Sequence, residues 1–421
     1  MEKFERRAGE PIIQSLLDID FYKFSMGQWI FHRYPDVKVK FGLTNRTKGI
    51  LLADSIPEKD LRGELDHIRA LRFNNSELHY LRGTNEYGYR MFQENYLEFL
   101  SKLELPEYSL EKNSEGQYKL EFSGSWKAVT YWETLALSII SELYYESQLK
   151  KLSQFQRDAV YAEGILRLDR KIKSLLEHPE IIFSDFGTRR RFGRSWQDYE
   201  VAALASRVSK TQFRGTSNVY LAMKHGLLPM GTSAHELGMV LAAIRENGSP
   251  ESLRESQDEA FCSWWNDYGV GLSIALTDTF GSKFFFRTAS RHIAREWKGL
   301  RQDSGNPLEF AKMAMEWYRG HGIDPKKKTI IFSDQQNMET MLKITEAIKD
   351  EIMISFGWGT DLTNDLGYKP LSLVIKVVEA DGKPAVKLSD NLAKAMGDSE
   401  TVERYKKMAG YKISFWEDCR S

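Results

Sequence analysis

The segment Gly231-Thr232-Ser233-Ala234-His235-Glu236 joins a short apolar run to a stretch in which Leu237, Val240, Leu241 and Ile244 recur at the spacing of one helix face. Thr232 and Ser233 are residue types that cap helices, which predicts His235 in the first helical turn. Free backbone N–H groups and the positive end of the helix dipole disfavour an imidazolium there and favour an anion. A neutral nucleophilic imidazole, or a phosphate carried on it, suits such a place. The plain alternative is a capping or packing histidine.

Other residues with chemical potential surround this one in the sequence. Arg189, Arg190 and Arg191 follow Asp185-Phe186-Gly187-Thr188, and Arg214 precedes Gly215-Thr216-Ser217. Asp278 follows an apolar run, Arg301 and Asp303 lie in Arg301-Gln302-Asp303-Ser304-Gly305, and Gly357-Trp358-Gly359-Thr360 forms a Gly-rich turn. Guanidinium forks and backbone N–H groups match phosphate oxygens, and an acid beside them could hold a ribose diol or a magnesium ion. The structural alternatives are a solvated charge run at 189–191, a tight turn at 357–360, and a surface turn before the Pro307 helix start. Phe186 and Tyr22 offer aromatic faces or core packing. No HExxH, GxSxG, Walker lysine or Rossmann fingerprint occurs, which excludes the commonest hydrolase, NTPase and dehydrogenase frameworks.

These candidates need a scaffold, and the sequence supplies a rhythm for one. Seven short apolar runs, at Ile181–Phe183, Gln212–Phe213, Leu227–Leu228, Leu272–Leu276, Gly299–Leu300, Thr329–Phe332 and Ile352–Ile354, each end in a polar or Gly-rich cluster, and helical patterns follow most of them. Such units imply parallel strands with helical crossovers. Closing the seven strands into a β/α barrel places every candidate past a strand's C-terminal end, the face where barrel enzymes carry their sites. An open doubly wound sheet is the alternative.

Residues 1–150 read as an α+β domain and 151–365 as the barrel. Val37–Leu43 and Tyr118–Phe122 alternate as half-buried strands, Ala128–Trp132 is rich in strand formers, and a helix is predicted from Thr134 to about Leu149. In the tail, Leu373–Glu379 and Ala385–Leu388 flank a hairpin turn. They are expected to return to the N-terminal sheet, so that 366–421 makes that domain discontinuous.

The chain has 421 residues, with Lys+Arg 59 balancing Asp+Glu 59, so no bulk field recommends nucleic acid or an anionic membrane as partner. Cys262 and Cys419 are too few and too far apart for a disulfide framework or a cysteine metal site. Met1–Arg7 mixes acids and bases with no apolar segment behind it, and no run is long enough to span a bilayer. A cytoplasmic protein is expected.

Taken together and in order, Asp20–Met26, Ser184–Arg191, Gly231–Glu236, Arg301–Gly305 and Phe356–Thr360 closely resemble the bacterial form of the nicotinate phosphoribosyltransferase family. Ser123-Gly124-Ser125-Trp126 and the tail from Lys369 to Asp390 extend the match over nearly the whole chain. The resemblance implies conversion of nicotinate and phosphoribosyl pyrophosphate (PRPP) to nicotinate mononucleotide and pyrophosphate. It also implies a type II phosphoribosyltransferase fold, an incomplete (seven-stranded) β/α barrel with a discontinuous α+β, sandwich-like N-terminal domain, together with ATP hydrolysis coupled through a phosphohistidine, Mg²⁺ as cofactor, and a homodimer with a shared site. By the match, His235 is the phosphorylated residue and Asp278 hydrogen-bonds it. Phe186 and the neighbouring subunit's copy of Tyr22 sandwich the pyridine. Thr232, Arg301 and Ser217 contact nicotinate. Arg189, Arg214, Asp303, Ser304, Gly359 and Thr360 bind PRPP, and no residue is assigned as a metal ligand. Two positions depart from the family pattern: Asn306 stands where an acid is usual, and Asp361 follows Thr360 where a neutral or basic residue is expected.

Two rival functions remain from the sequence. The sister enzyme acting on nicotinamide usually carries an aspartate where this chain has Ser217, and that acid would repel a carboxylate substrate. A non-catalytic sensor of nucleotides or phosphosugars would have been free to lose His235, Asp278 and the phosphate cradle, which are all present.

Overall fold

The computed structural model describes residues 4–7, 9–47, 49–86, 89–412 and 415–417; Cys419 and the first three residues lie outside them. Its strands are β1 (Lys38–Asn45), β2 (Asn85–Glu86), β3 (Tyr89–Arg90), β4 (Tyr108–Lys112), β5 (Tyr118–Ser125), β6 (Phe183–Asp185) and β7 (Phe213–Thr216). They continue as β8 (Leu228–Pro229), β9 (Ile274–Leu276), β10 (Gly299–Gln302), β11 (Thr329–Phe332), β12 (Met353–Trp358), β13 (Leu373–Ala380) and β14 (Lys383–Pro384).

All seven apolar runs of the middle region become parallel strands of one sheet, in the order β8-β7-β6-β12-β11-β10-β9. They are short, and β6, β9 and β10 bury nearly every residue, as strands covered on both faces must. The first and last of the seven pair with each other, Phe183 opposite Phe356 and Trp358 opposite Asp185. The sheet therefore curls round and stays open between β8 and β9. β8 suits an edge, because Pro229 has no N–H to give to a further strand.

The second sheet, β14-β13-β1-β5-β4, is antiparallel. β13 pairs with β1 along its length, Val39 opposite Ala380 and Asn45 opposite Leu373, so the tail does rejoin the N-terminal strands. The second arm of the predicted hairpin does not follow. Only Lys383 and Pro384 pair with β13; Ala385–Ser389 then leaves the sheet and runs to the open side of the half-barrel. There the Leu388 and Ser389 amides donate to the Thr279 and Asp278 carbonyls.

Ala128–Trp132 also departs from expectation. The chain forms a helical turn at Trp126–Val129 and enters the helix Trp132–Leu149 directly. Tertiary packing overrides strand propensity here: Trp126 is fully buried and donates from Nε1 to Glu236, which requires the chain to turn at the end of β5. The helix Trp132–Leu149 is buried on nearly every face and packs against β13 and the turn Thr188–Arg190, between the two sheets. One hydrophobic core accordingly runs through both, from Ile12 to Ala385. Among the described residues no helix is long and apolar enough to cross a membrane.

Candidate active site

At the C-terminal ends of the barrel strands lies a cavity of about 550 Å³. Phe186 and Tyr22 line it, with Ser217 and Asp20 beside them. Arg46, Arg189, Arg190, Arg301, Lys376, Lys387 and Lys394 supply cations, and His235, Asp303, Gly359 and Thr360 complete the predicted set found there.

His235 is the first residue of the helix His235–Arg245, as the spacing predicts, and is only 3 % exposed. The predicted cap does not form: Ala234 occupies the cap position without a side-chain bond. The preceding loop is instead held by tertiary contacts. Ser25 Oγ donates to the Thr232 carbonyl, and Arg301 donates to that of Ser233. Glu236 anchors the same turn, accepting from Lys23 Nζ and Trp126 Nε1, both at 2.6 Å.

Around the imidazole, Nδ1 lies 3.0 Å from Thr279 Oγ1, and Nε2 lies 3.0 Å from Asp303 Oδ2 and 2.8 Å from Lys387 Nζ. Burial, reinforced by the Lys387 ammonium, pushes the His235 pKa down to about 4, so the ring is neutral near pH 7. Asp278 is not its hydrogen-bond partner. Its Oδ1 stops 3.7 Å from Nε2 and has no hydrogen bond, while Oδ2 accepts from Ser304 Oγ. The reason is the approach of the tail: Lys387 and Ser389 crowd the carboxylate, and Asp303, one strand further on, reaches the ring instead.

The remaining predicted residues divide clearly. This chain's own Tyr22 lines the cavity, because its helix begins where Asp20 bridges to Asn218 at the barrel mouth. The Arg189 guanidinium lies 5.7 Å from the Tyr22 ring centroid and 3.1 Å from Asp20. Arg191 is no solvated charge: it is fully buried and bonds Asp18 with both terminal nitrogens. Arg214 is not brought to the cavity, since it is the exposed residue of β7 between buried neighbours. Thr232 and Ser304 also fall outside the lining. Thr232 is in the loop tied to Ser25, and Ser304 is wedged between Asp278 and the Asp390 amide.

Ser217 does line the cavity, but its hydroxyl donates to Asp20 at 2.7 Å. Asn306 is a helix cap, its Oδ1 accepting from the Leu308 and Glu309 amides. Asp361 is turned towards Trp358 Nε1 at 3.0 Å and paired with Lys171, so its charge is offset beside the glycine turn.

Sequence reasoning missed Asp20, Thr279, Lys376, Lys387 and Lys394. The lysines carried a signal: Lys376 and Lys387 interrupt apolar strand-like runs. In the structure Glu133 gathers Lys23 and Lys376 at 2.7 Å and Arg189 at 3.5 Å. Burial alone would raise the Glu133 pKa, but these cations hold it below the usual carboxylate range. A fixed carboxylate thus anchors two of the cations that face the cavity.

The fold and the ordered motifs find counterparts among known proteins. The nicotinate phosphoribosyltransferase (NAPRTase) family profile matches residues 181–412, and its N-terminal domain profile matches residues 17–141. A crystal structure of nicotinate phosphoribosyltransferase from Porphyromonas gingivalis is 31% identical with a TM-score of 0.83, over 95% of this chain and 100% of its own. One from Vibrio cholerae is 30% identical with a TM-score of 0.85, over 98% of this chain and 97% of its own. The chain belongs to the nicotinate phosphoribosyltransferase family.

Proposed function

We propose that this chain transfers the phosphoribosyl group of PRPP to nicotinate, and that ATP hydrolysis is coupled to the transfer through phosphorylation of His235. The observation that carries the reading is a neutral, nearly buried imidazole opening onto one cavity that also holds an aromatic pair and several cations.

In this reading Phe186 and Tyr22 hold the pyridine ring, and Arg301 meets its carboxylate. Arg301 Nε is buried without a hydrogen bond, which leaves a donor for such a partner. The pyridine nitrogen attacks C1 of the sugar as the C1–oxygen bond to pyrophosphate breaks, and pyrophosphate leaves with the electron pair. Arg189 and Lys376 face the departing charge, Asp303 the ribose hydroxyls, and Gly359 with Thr360 the 5′-phosphate. Catalysis then comes from positioning and from charge stabilisation by groups already in place. ATP is a co-substrate that phosphorylates His235, a neutral nucleophile at a helix N-terminus.

No step is assigned to Mg²⁺. Among the described residues the one group with metal-ligand spacing is His235, Asp278 and Asp303, and Lys387 Nζ already stands among them. That donor set does not fit a resident metal.

Asp20 beside Ser217 favours a second reading, since an acid at that end of the cavity suits the amide of nicotinamide. The test is product formation from PRPP with each pyridine, with and without ATP, together with incubation in γ-labelled ATP. Nicotinate mononucleotide and an acid-labile label lost in His235→Asn are expected. Product from nicotinamide alone establishes the second reading, and neither product nor label overturns both.

A further inference from the structure

The ligand atoms of His235, Asp278 and Asp303 all lie within 4.8 Å of one another, an arrangement able to chelate a divalent cation. Lys387 Nζ stands 2.8 Å from His235 Nε2, 3.7 Å from Asp278 Oδ2 and 3.8 Å from Asp303 Oδ2. Its side chain is buried, and its backbone is pinned by reciprocal hydrogen bonds with Met396, so the ammonium is delivered to one place. Asp278 Oδ1, buried and without a hydrogen bond, faces the same cluster. We propose that Lys387 is the resident cation of this cluster: its ammonium takes the position a divalent metal would fill between His235, Asp278 and Asp303, and the cluster holds no metal of its own.

Two consequences follow from the charges. One ammonium offsets the buried carboxylate of Asp278 and the half-buried one of Asp303, which would otherwise repel each other and draw a proton onto the imidazole. It also stands 2.8 Å from Nε2, at a place from which no chelator can remove it. Lys387 is therefore a positioning residue for His235. Of its other charged neighbours, Lys394 is engaged by Asp334 and the Asp303 carbonyl and Arg46 donates to the Lys394 carbonyl, while Arg301 shares the charge of Asp303. The inference goes beyond the proposed reaction and does not depend on which substrates the site takes.

The test is cobalt binding by metal-stripped protein in the absence of phosphate ligands, followed by the visible ligand-field absorption. The wild-type protein is expected to show no His235-dependent cobalt site. Lys387→Ala should gain one, at least about tenfold tighter than anything in the wild type, and the double variant with His235→Asn should lose it. A His235-dependent cobalt spectrum in the wild-type protein overturns the inference, as does a Lys387→Ala protein that keeps the native circular dichroism yet gains no site. Comparing wild-type protein with His235→Asn needs no substitution at Lys387 and decides the question even where Lys387→Ala does not fold.

Discussion

Ser217 Oγ donates to Asp20 Oδ1 at 2.7 Å, so the hydroxyl proximal to the aromatic end of the cavity is engaged by an acid of the same chain. Burial raises the Asp20 pKa, against the pull of Arg189 and Ser217. An acid therefore already stands in direct contact with position 217. Replacing Ser217 with Asp puts two carboxyl groups side by side. It is expected to lower kcat/KM for nicotinate by at least about tenfold through like-charge repulsion, with a smaller effect on nicotinamide. Kinetics with both pyridines check this, and an unchanged ratio would show that position 217 does not face the ring substituent.

Stability should fall on the acid side through His235. Its folded-state pKa of about 4 lies below the ordinary histidine value. Between roughly pH 6.5 and 4 the unfolded chain takes up a proton that the folded protein refuses, so the contribution is intact above that window and lost within it. The loss reaches about 3 kcal/mol at the acid end. Urea unfolding of wild-type and His235→Gln protein across this range is expected to show the steeper decline in the wild type.

Gly357 is the position on β12 most sensitive to a single methyl group. A Cβ there would stand 2.3 Å from the Phe186 ring and force it out of place. Gly357→Ala is expected to raise KM for the pyridine about tenfold while leaving KM for PRPP within about threefold, with a stability cost of about 1–3 kcal/mol from overpacking. Steady-state kinetics with each substrate varied in turn separate the two effects.

Burial pushes the Lys376 ammonium down to about 8, against its bond to Glu133. The cation is present below that pH and lost above it, so KM for the anionic phosphoribosyl donor should climb by up to about tenfold between pH 7 and 9. Lys376→Arg, whose charge persists, should flatten the profile. A profile unchanged by that substitution would remove Lys376 from phosphate recognition.

What the sequence determined by itself was whatever local pattern controls. The seven strand positions, the alternation of β1 and β5, the return of β13 and the place of His235 in its helix all follow from periodicity and from residue type. The glycine turn and the arginine run were visible for the same reason. Only the tertiary structure decided which strand pairs close the curl. β6 joins β12, and the gap falls between β8 and β9, the side across which His235 faces Thr279, Asp303 and Lys387. It also decided that Asp303 and not Asp278 reaches the imidazole, that Arg191 is spent on Asp18 while Arg189 faces the cavity, and that Arg214 points away. These are contacts between residues tens to hundreds of positions apart. Periodicity carries no information about such partners, because they depend on how two sheets and a returning tail pack around one core.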